Sequence, residues 1–560
     1  MKKVFWCLFL LVSASGIFAQ NYPQNYFRYP MDIPVSLSAN FGELRTNHYH
    51  MGLDMRTQQR ENIRILAAAD GYISRVFISH TGYGNMLVIK HPNGYETLYG
   101  HLNDFYPELM EYVREKQYKD NSWAQDFTLP AKLFSVKKGQ FIAFSGNTGG
   151  SAGPHLHFEI RDINTGHGIN PMLFGMGISD NLKPMLYGLY YYDRRYSTYE
   201  SAAVSIPVSG TSGTVSGGTT KVGTPKVSFG YAGEDKTSPS SFKFGIYKAV
   251  LFVDDREMIS STLNNIPFDQ QRYMNAGIDY KKKLQGGPYV QHLSRLPGNL
   301  LDIFCGDSDG IIDLGDGKPH KITIHLEDTK GNRTVVSFTM QYDPALQKEQ
   351  TFPKYLVTVQ PGRPGRLNTP TAEFIHSQNA FYDYFNFNMQ EITSTAPNQV
   401  SSTIKLDNYY VPIHDEYSIA IKANDLSNKD RVVMQLTSGT FKALYKGLWD
   451  KDIMVGHFNR LGNVSLIKDL ASPVISPGNI KEGMTVKSGS VLRVSVSDNL
   501  GTIKSFSGIA DGQWLLFERK GNTFTYKVDK YMPAGKSKLV LKAEDVAGNI
   551  TTREFTINKN

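Results

Sequence analysis

Hydrophobic and polar residues alternate with a period of two over much of the chain, and glycine-containing turns separate the alternating runs. Between positions 34 and 171 these runs are RILAAADGYISRVFIS, GNMLVIKHPNGYETLYGHL, FSVKKGQFIAFSGNTGG and PHLHFEIRD. Such alternation predicts strands, and Asn-Gly or Lys-Gly pairs predict the tight turns that join them. We therefore predict a compact antiparallel β domain in this region.

One segment departs from this pattern. The run PELMEYVREKQYKD, from Pro107 to Asp120, begins with proline and carries charged residues at helical spacing. Proline is favoured in the first turn of a helix. The segment predicts a short surface helix within an insertion that covers residues 103–135. The sequence leaves open whether this insertion is an autoinhibitory lid.

The rest of the chain contains an internal repeat. The segment HKITIHLEDTKGNRTVVSFTM, from His320, aligns without gaps on SKLVLKAEDVAGNITTREFTI, from Ser537. A weaker third copy, YSIAIKANDLSNKD, begins at Tyr417. Each copy predicts a strand, a tight turn and a second strand. Three such hairpins predict three β-sandwich domains.

These patterns predict an all-β chain of several domains. A Gly/Ser/Thr-rich tract from about 209 to 223 predicts a mobile loop, and boundaries are expected at the Phe352-Pro353 and Ser472-Pro473 pairs. The predicted units are a signal peptide at 1–19, an antiparallel β domain at 20–185, and β-sandwich domains at 186–345, 353–470 and 471–560.

The first residues predict export. Lys2 and Lys3 precede an apolar run that ends in small residues at Ala19, as in a secretory signal. The run is shorter than the roughly 20 residues of a membrane-spanning helix. We expect a protein of the periplasm, the cell envelope or the medium, with no transmembrane segment after signal removal.

Composition excludes several classes of site. Once the signal is removed, Cys305 is the only cysteine, so an internal disulfide or a cysteine metal cluster is excluded; we expect this thiol to be buried. The net charge of +8 is mild for 560 residues and basic residues are scattered, so no nucleic-acid partner is expected. The acidic segment GDSDGIIDLGDG, from Gly306, lacks EF-hand spacing and is interpreted as a polar turn.

Histidines and a carboxylate in two segments form a candidate metal site. His50 and Asp54 are four residues apart in HYHMGLD, and His155 and His157 share one face of the predicted strand PHLHFEIR. A catalytic zinc takes three ligands of the histidine and carboxylate type and keeps one position for water. His50, Asp54 and His157 supply such a set.

Two further histidines suit the chemistry of a metal-activated water. His155 neighbours the last ligand, and His101 occurs in TLYGHL. These side chains could take the proton of the water and stabilise the tetrahedral oxyanion. Glu159 shares the face of His157, and the sequence leaves open whether it orients that histidine or is solvated. Tyr99 is expected to be a packed strand aromatic.

The three motifs resemble the signature of a known family. His50 with Asp54, Tyr99 with His101, and His155 with His157 are similar, in that order, to the motifs of the lysostaphin-type (LytM-like) zinc endopeptidases of bacterial cell walls. The resemblance covers about residues 39–171. It implies a duplicated-hybrid-motif peptidase domain with one zinc ion per chain, bound by the first histidine, the aspartate and the last histidine. His101 and His155 would then act on the reacting peptide.

The implied function is that of a secreted zinc metalloendopeptidase. It would hydrolyse peptide cross-links of bacterial peptidoglycan by a zinc-activated water, with C-terminal immunoglobulin-like repeats that contact the wall or envelope proteins. One alternative is a non-catalytic or regulated LytM-like factor that activates another hydrolase. Missing ligands would indicate that alternative, and none is missing. Another alternative is a zinc peptidase that acts on an exposed protein.

Overall fold

A computed structural model describes residues 22–560 except 239, 353 and 395. The signal peptide predicted at 1–19 lies outside the described residues, as does Pro353 of one predicted boundary. Strands account for 47% of the chain and helices for 7%. The all-β prediction is therefore confirmed.

The N-terminal region consists of short strands, one α-helix and one 3₁₀ helix. In chain order these elements are β1 (Leu37–Ala39), β2 (Leu44–Arg45), β3 (His48–Tyr49), β4 (Leu53–Arg56), β5 (Arg64–Leu66), β6 (Gly71–Ile78), β7 (Asn85–Lys90), β8 (Tyr95–Phe105), α1 (Pro107–Asp120), β9 (Gln125–Thr128), β10 (Ser135–Val136), β11 (Phe141–Ser145), β12 (His155–Asp162), β13 (Gly168–Ile169) and a 3₁₀ helix at Pro171–Phe174.

Except for β2 and β3, which pair only with each other, these strands belong to one sheet with the order β1-β4-β12-β8-β7-β6-β10 along its main path. All the pairings along this path are antiparallel. Strand β12 lies in its interior because its alternate residues Leu156, Phe158 and Ile160 are fully buried in the core. The opposite face of β12 carries the candidate site. Period-two alternation thus separates core residues from functional ones on the same strand.

The predicted helix is confirmed as α1, Pro107–Asp120. Leu109 and Val113 bury one side of it in the core of the N-terminal region. Tyr118 lies against the C-terminal sandwich, where its ring stacks on Tyr531 at 3.5 Å and its hydroxyl donates to Asp529 at 2.7 Å. The helix therefore links the two ends of the described chain.

The first sandwich region contains two main sheets and three short helices. Its elements are β14 (Met185–Asp193), β15 (Val204–Ser205), β16 (Thr214–Val222), β17 (Lys226–Glu234), β18 (Lys248–Val253), β19 (Arg256–Thr262), β20 (Asn265–Ile266), a 3₁₀ helix at Phe268–Ala276, α2 (Tyr280–Leu284), β21 (Gln291–His292), β22 (Phe304–Cys305), β23 (Ile312–Asp313), β24 (His320–Glu327), β25 (Arg333–Tyr342) and a 3₁₀ helix at Pro344–Leu346. The sheets have the orders β15-β14-β17-β21 and β16-β25-β24-β18-β19-β22.

The remaining strands form two further pairs of sheets and one two-stranded sheet, which consists of β26 and β29. The first group is β26 (Val357–Val359), β27 (Gly365–Asn368), β28 (Ala372–His376), β29 (Phe385–Phe387), β30 (Met389–Ile392), β31 (Thr403–Leu406), β32 (Pro412–Lys422), a 3₁₀ helix at Lys429–Arg431, β33 (Val432–Ser438), β34 (Phe441–Tyr445), β35 (Leu448–Asp450), β36 (Ile453–Arg460) and β37 (Asn463–Lys468). The second is β38 (Val474–Ser476), β39 (Met484–Val486), β40 (Val491–Ser497), β41 (Ile503–Ala510), β42 (Gln513–Leu515), β43 (Glu518–Lys520), β44 (Thr523–Lys527), β45 (Gly535–Asp545) and β46 (Ile550–Lys559).

Each pair of sheets encloses its own hydrophobic core. An additional buried cluster joins three regions, because Phe41 and Met51 of the N-terminal region pack with Ile266 and Tyr382. Strand β13 also pairs with β20, so the N-terminal sheet continues into the first sandwich region. In the described part of the chain, no helix combines the length and apolarity needed to cross a membrane.

Two of the three predicted repeat hairpins are present. Strands β24 and β25 pair antiparallel around the first copy, and β45 and β46 pair around the copy at the C-terminal end. The predicted third hairpin is wrong, because β32 pairs with β28 and β36 whereas β33 belongs to the facing sheet. The carboxylate of Asp425 after β32 accepts the amide of Ser427 and pairs with Lys468, and the chain then crosses to the facing sheet.

Two smaller predictions are also wrong. The tract at 209–223 contains β16, which pairs in parallel with β25 and buries Val215 and Val222. The small residues of this tract form the edge strand of a sheet, so the tract is not a mobile loop. Cys305 is exposed because it lies on β22, the edge strand of its sheet.

Candidate metal centre

The candidate centre lies where β4 and β12 run side by side. Asp54 of β4 and His157 of β12 are direct cross-strand partners, so their side chains project from the same face. His50 reaches this face from the segment before β4. Gly52 allows the close approach, because a Cβ atom there would lie 2.4 Å from the carbonyl oxygen of Phe158.

Three donor atoms form a nearly equilateral triangle. The Nε2 atom of His50, the Oδ1 atom of Asp54 and the Nδ1 atom of His157 are each 3.0 Å from the other two. A tetrahedral zinc with bonds of about 2.0–2.1 Å separates its donors by about 3.4 Å, so a small expansion accommodates the ion. All three residues are buried, and their histidine and carboxylate donors are of the type that zinc takes. The group could hold one metal ion.

Hydrogen bonds fix the orientation of both histidine ligands. The Nδ1 atom of His50 lies 2.7 Å from the carbonyl oxygen of Asn40. The Nε2 atom of His157 lies 2.8 Å from the Oε1 atom of Glu159. In each ring the nitrogen outside the triangle can donate its proton to this outer acceptor, so that the lone pair of the inner nitrogen would be available to a bound metal.

Glu159 is a fully buried support for His157, so the solvated interpretation of this residue is wrong. Its carboxylate also accepts hydrogen bonds from the hydroxyl of Tyr83 and the Nε atom of Arg161, both at 2.6 Å. Burial alone would raise the pKa of Glu159, but Arg161 and His157 lower it to about 2. The carboxylate therefore remains ionised and can accept a hydrogen bond from the imidazole N–H of His157.

Asp54 is held in its charged form by the groups around it. Its Oδ1 atom faces the histidines, and its Oδ2 atom forms an ion pair with the Nη2 atom of Arg45 at 3.0 Å. Burial alone would raise the pKa of Asp54, but His50 and the hydrogen bonds from His155 and His157 hold it well below its usual value. One carboxylate oxygen is thus available to a metal while the other is neutralised.

His101 and His155 lie together beside the triangle, with their ring centroids 4.7 Å apart. The Nδ1 atom of His155 is 2.8 Å from the carbonyl oxygen of Gly153, and its Nε2 atom is 3.3 Å from the Oδ1 atom of Asp54. The Nδ1 atom of His101 is 2.8 Å from the carbonyl oxygen of Thr148. Both rings therefore use one nitrogen for orientation and keep the other for chemistry.

A bulge in β8 aims His101 at the centre. The pairing of β7 with β8 shifts register near this residue, and His101 has a left-handed φ of 59°. Such irregularities redirect a side chain and are uncommon for residues other than glycine. Burial, followed by the nearby His157 and His155, lowers the pKa of His101 to about 3. The imidazole is therefore neutral near pH 7.

Two glycine-containing loops pack against each other next to Thr148, whose carbonyl oxygen orients His101. The amide of Gly150 donates to the carbonyl of Gly82 at 2.8 Å. A Cβ atom on Gly84 would lie 2.3 Å from the Oγ1 atom of Thr148, and one on Gly149 would lie 2.3 Å from the amide nitrogen of Gly84. Only glycine allows this packing, which fixes the carbonyl oxygen that orients His101.

The structure brings all five predicted site residues together. Sequence reasoning missed Arg45, Tyr83 and Arg161. Arg161 continues the alternation of His157 and Glu159 on β12, which is the signal that could have identified it. Tyr99 is fully buried, and its hydroxyl accepts the amide of Ala68 at 2.8 Å, as expected for a packed strand aromatic.

Comparisons with known proteins agree with this geometry. Residues 48–118 and 132–171 match the family model of Peptidase family M23, and the unmatched residues between these ranges lie within the insertion. Residues 358–469 match the model of the Zu5-like domain.

Three similar proteins illustrate the extent of the resemblance. The chain is 39% identical over 130 residues to the DD-carboxypeptidase/endopeptidase Mpg of Neisseria meningitidis serogroup B, a match that covers 23% of each protein. It is 33% identical over 152 residues to the murein hydrolase activator NlpD of Salmonella dublin, covering 27% of this chain and 32% of NlpD. A zinc-containing peptidase from Vibrio cholerae is 28% identical, with 27% of this chain and 40% of that chain covered and a TM-score of 0.20.

The β-sheet domain and its buried histidine and aspartate group define a metallopeptidase-type domain. The N-terminal region of the chain belongs to peptidase family M23, and its relatives include peptidoglycan hydrolases and an activator of such hydrolases. The match spans 23% and 32% of the length of Mpg and NlpD, so it concerns this domain alone.

Proposed function

We propose that the protein is an exported zinc metalloendopeptidase that hydrolyses peptide cross-links of bacterial peptidoglycan. The observation that supports this most strongly is the complete set of oriented donors. His50, Asp54 and His157 form the ligand triangle. His101 and His155 stand beside it, each with its Nδ1 atom on a backbone carbonyl and its Nε2 atom not used by that bond. A site that only bound metal would not require the last two side chains.

Zinc held by the triangle would supply a water of lowered pKa and would polarise the carbonyl of the scissile bond. His101 and His155 suit the proton transfers of this reaction. Each donates its Nδ1 proton to a backbone carbonyl, so Nε2 of the neutral ring is a proton acceptor. Once protonated, the same nitrogen becomes a donor that can stabilise negative charge on the substrate oxygen or protonate the leaving amine.

The remaining residues keep these groups in place. Glu159 and Asn40 hold the ligand histidines in one tautomer, and Arg45 neutralises the outer oxygen of Asp54. Positioning of this kind reduces the rearrangement needed when substrate arrives. The roles of His101 and His155 as catalytic residues belong to this proposal.

The proposed substrate class is inferred from similar proteins. Mpg is named as a DD-carboxypeptidase/endopeptidase and NlpD as a murein hydrolase activator. We therefore propose that murein peptides are also the substrate of this protein. The signal expected at 1–19 would place the enzyme in the periplasm or the cell envelope. The sandwich domains would contact the wall or envelope proteins.

The similarity to NlpD favours a second candidate, a non-catalytic factor that activates another hydrolase. Such a factor would need the fold but not the two acid-base histidines. Substitution of His155 therefore distinguishes the candidates, because it would slow hydrolysis by roughly 10²–10⁴-fold and leave activation of a partner hydrolase unaffected.

Digestion of purified sacculi tests the proposal. The zinc-loaded full-length protein should release soluble fragments, and chelation or His157→Ala should stop the release. His48→Ala is the matched control, because His48 is an exposed histidine in the same segment whose ring bonds only the carbonyl of Thr46. Full activity of His157→Ala would contradict the proposal. A preference for glycine-rich peptides over peptidoglycan fragments would redirect it to a protein substrate.

A further inference from the structure

Three aspartates meet at the junction between the N-terminal region and the first sandwich. Asp180 lies in the segment before β14, Asp235 follows β17, and Asp328 follows β24. One carboxylate oxygen of each lies within 4.8 Å of the other two. The junction therefore concentrates negative charge contributed by the linking segment and by both sheets of the sandwich.

The same arrangement recurs at the junction before the last sandwich. Asp469 lies before β38, Asp498 follows β40, and Asp545 ends β45, again with carboxylate oxygens within 4.8 Å. The supporting strands also correspond. In both sandwiches the first strand pairs antiparallel with the strand that precedes the second aspartate, and a terminal hairpin carries the third.

An asparagine side chain joins each linking segment to its sandwich through hydrogen bonds. Asn332 donates through Nδ2 to the carboxylate of Asp328 at 2.6 Å and to the carbonyl of Asp180 at 3.4 Å. Asn549 donates in the same way to Asp545 at 2.8 Å and to the carbonyl of Asp469 at 2.9 Å. The repeated turn sequence thus builds the same junction twice.

The first group contains a buried carboxylate that protein atoms do not satisfy. Asp235 is only 4% exposed, and its Oδ1 atom has no hydrogen-bond partner among the described residues. The Oδ2 atom of Asp180 and the Oδ1 atom of Asp498 are buried and unpartnered as well. Buried ionised oxygens without partners are costly unless a cation is present.

Lysine and arginine side chains near these aspartates form ion pairs with neighbouring glutamates instead. Glu234 pairs with Lys243 at 2.8 Å, Glu327 with Arg333 at 2.8 Å, and Glu544 with Lys504 at 2.7 Å. These glutamates immediately precede the aspartates Asp235, Asp328 and Asp545, whose carboxylates form no ion pair with lysine or arginine in the described part of the chain.

Burial and the neighbouring Asp180 and Asp328 raise the pKa of Asp235 to about 8. Burial likewise raises the pKa of Asp180 to about 6. These shifts express the cost of placing carboxylates together without a cation. They agree with the geometric evidence from the orphaned oxygens and from the recurrence of the cluster.

We propose that each aspartate group binds one divalent cation of the calcium class and thereby stiffens the domain junction on which it lies. The donors are all oxygens, without histidine or cysteine, which suits a hard cation. Calcium accepts six to eight oxygens in flexible geometry, whereas magnesium demands a near-ideal octahedron. Backbone carbonyls and water would complete the coordination. This inference does not depend on the proposed peptidase activity.

Equilibrium dialysis of the full-length protein against CaCl₂, after removal of metals and reloading with one equivalent of zinc, tests the proposal. The wild type should bind two calcium ions, with Kd values of roughly 10⁻⁴–10⁻³ M as in extracellular modules. Asp235→Asn and Asp498→Asn should each remove one ion, and the neighbouring Glu234→Gln and Glu544→Gln should remove none. The calcium count should be unchanged in His157→Ala, which separates this result from the zinc centre.

Thermal unfolding shows whether the asparagine variants are folded. Without calcium, Asp235→Asn should unfold at the same or a higher temperature than the wild type near pH 7, because asparagine removes the cost of burying a carboxyl that is ionised in the unfolded chain. With 10 mM calcium, on the order of ten times the expected Kd, the order should reverse. Absence of calcium binding at that concentration, or equal binding by the asparagine variants and the wild type, would overturn the proposal.

Discussion

The candidate metal centre of the M23 domain and the aspartate groups of the sandwiches both gather three ligand side chains, yet they differ in support. At the centre, Asn40 and Glu159 orient the ligand histidines and Arg45 pairs with Asp54. In the aspartate groups, oxygens of Asp180 and Asp235 remain buried without partners. In the proposed roles, the first arrangement holds metal ligands ready for chemistry, whereas the second would depend on a cation for its own stability.

The donor types lead to the same distinction. A mixed set of two imidazoles and one carboxylate suits zinc and carries little net charge. Three carboxylates placed together carry a larger negative charge, which either protonation or a bound cation must balance locally. Titratable side chains stand beside the first set, and domain junctions stand beside the second. Ligand support and ligand charge together therefore separate a reactive site from a structural one.

The largest expected effect is that of His157→Ala. Removing this proposed ligand should abolish zinc binding and reduce hydrolysis of sacculi to the level without enzyme, because only two of the three ligands would remain. Zinc content and fragment release should be measured on the same preparation. Retention of one zinc per chain by this variant would show that the ligand set is different.

A smaller loss is expected for His155→Ala and His101→Ala. Each should retain zinc but lose roughly 10²–10⁴-fold in rate, the usual contribution of a general acid or base. The ratio of zinc content to rate separates these variants from ligand variants. If either keeps the wild-type rate, that histidine is not catalytic.

Glu159→Gln should weaken the support of His157 without removing a ligand. Loss of such a partner costs roughly 10–100-fold in metal affinity, so competition with a zinc indicator should show a shift of this size. Glu96→Gln is the matched control, since Glu96 lies opposite Arg161 on β8. An equal shift in both variants would indicate a general electrostatic effect.

The smallest effect concerns the pH dependence of the calcium-free junction. The pKa of Asp235 is raised to about 8 by burial and by the facing Asp180 and Asp328, so the folded state holds a proton that the unfolded chain releases near pH 4. Stability from this group is present below about pH 4 and is lost as pH rises to about 8. Relative to Asp235→Asn, the calcium-free wild type should therefore lose a few degrees of melting temperature over that range. Parallel profiles would contradict this assignment.

The sequence predicted the all-β fold and the members of the candidate centre because the relevant signals are local. His50 with Asp54 and His155 with His157 lie within short motifs, and period-two alternation places them on strand faces. The roles of Arg45 and Tyr83 were not predicted, because their contacts depend on how separate loops pack. The left-handed conformation of His101 likewise has no signal in its own motif.

The aspartate groups escaped for a related reason. Asp328 and Asp545 were visible only as turn residues of the repeat, while their partners lie far away in the chain. The acidic segment from Gly306, predicted to be a polar turn, contains bends and the short strand β23, and its Asp307 pairs with Arg256. Sequence proximity of acidic residues was thus a poor guide to the junction groups, and the repeated Asp-x-x-Gly-Asn turn was the better one.

The central claim is that the M23 domain is catalytic. The most direct test incubates a purified cross-linked muropeptide dimer with the zinc-loaded protein and with zinc-loaded His155→Ala, and identifies the products by mass spectrometry. The account predicts cleavage of one cross-link peptide bond, with gain of one water, by the wild type and an intact dimer with the variant. An intact dimer after incubation with the zinc-loaded wild type would contradict it.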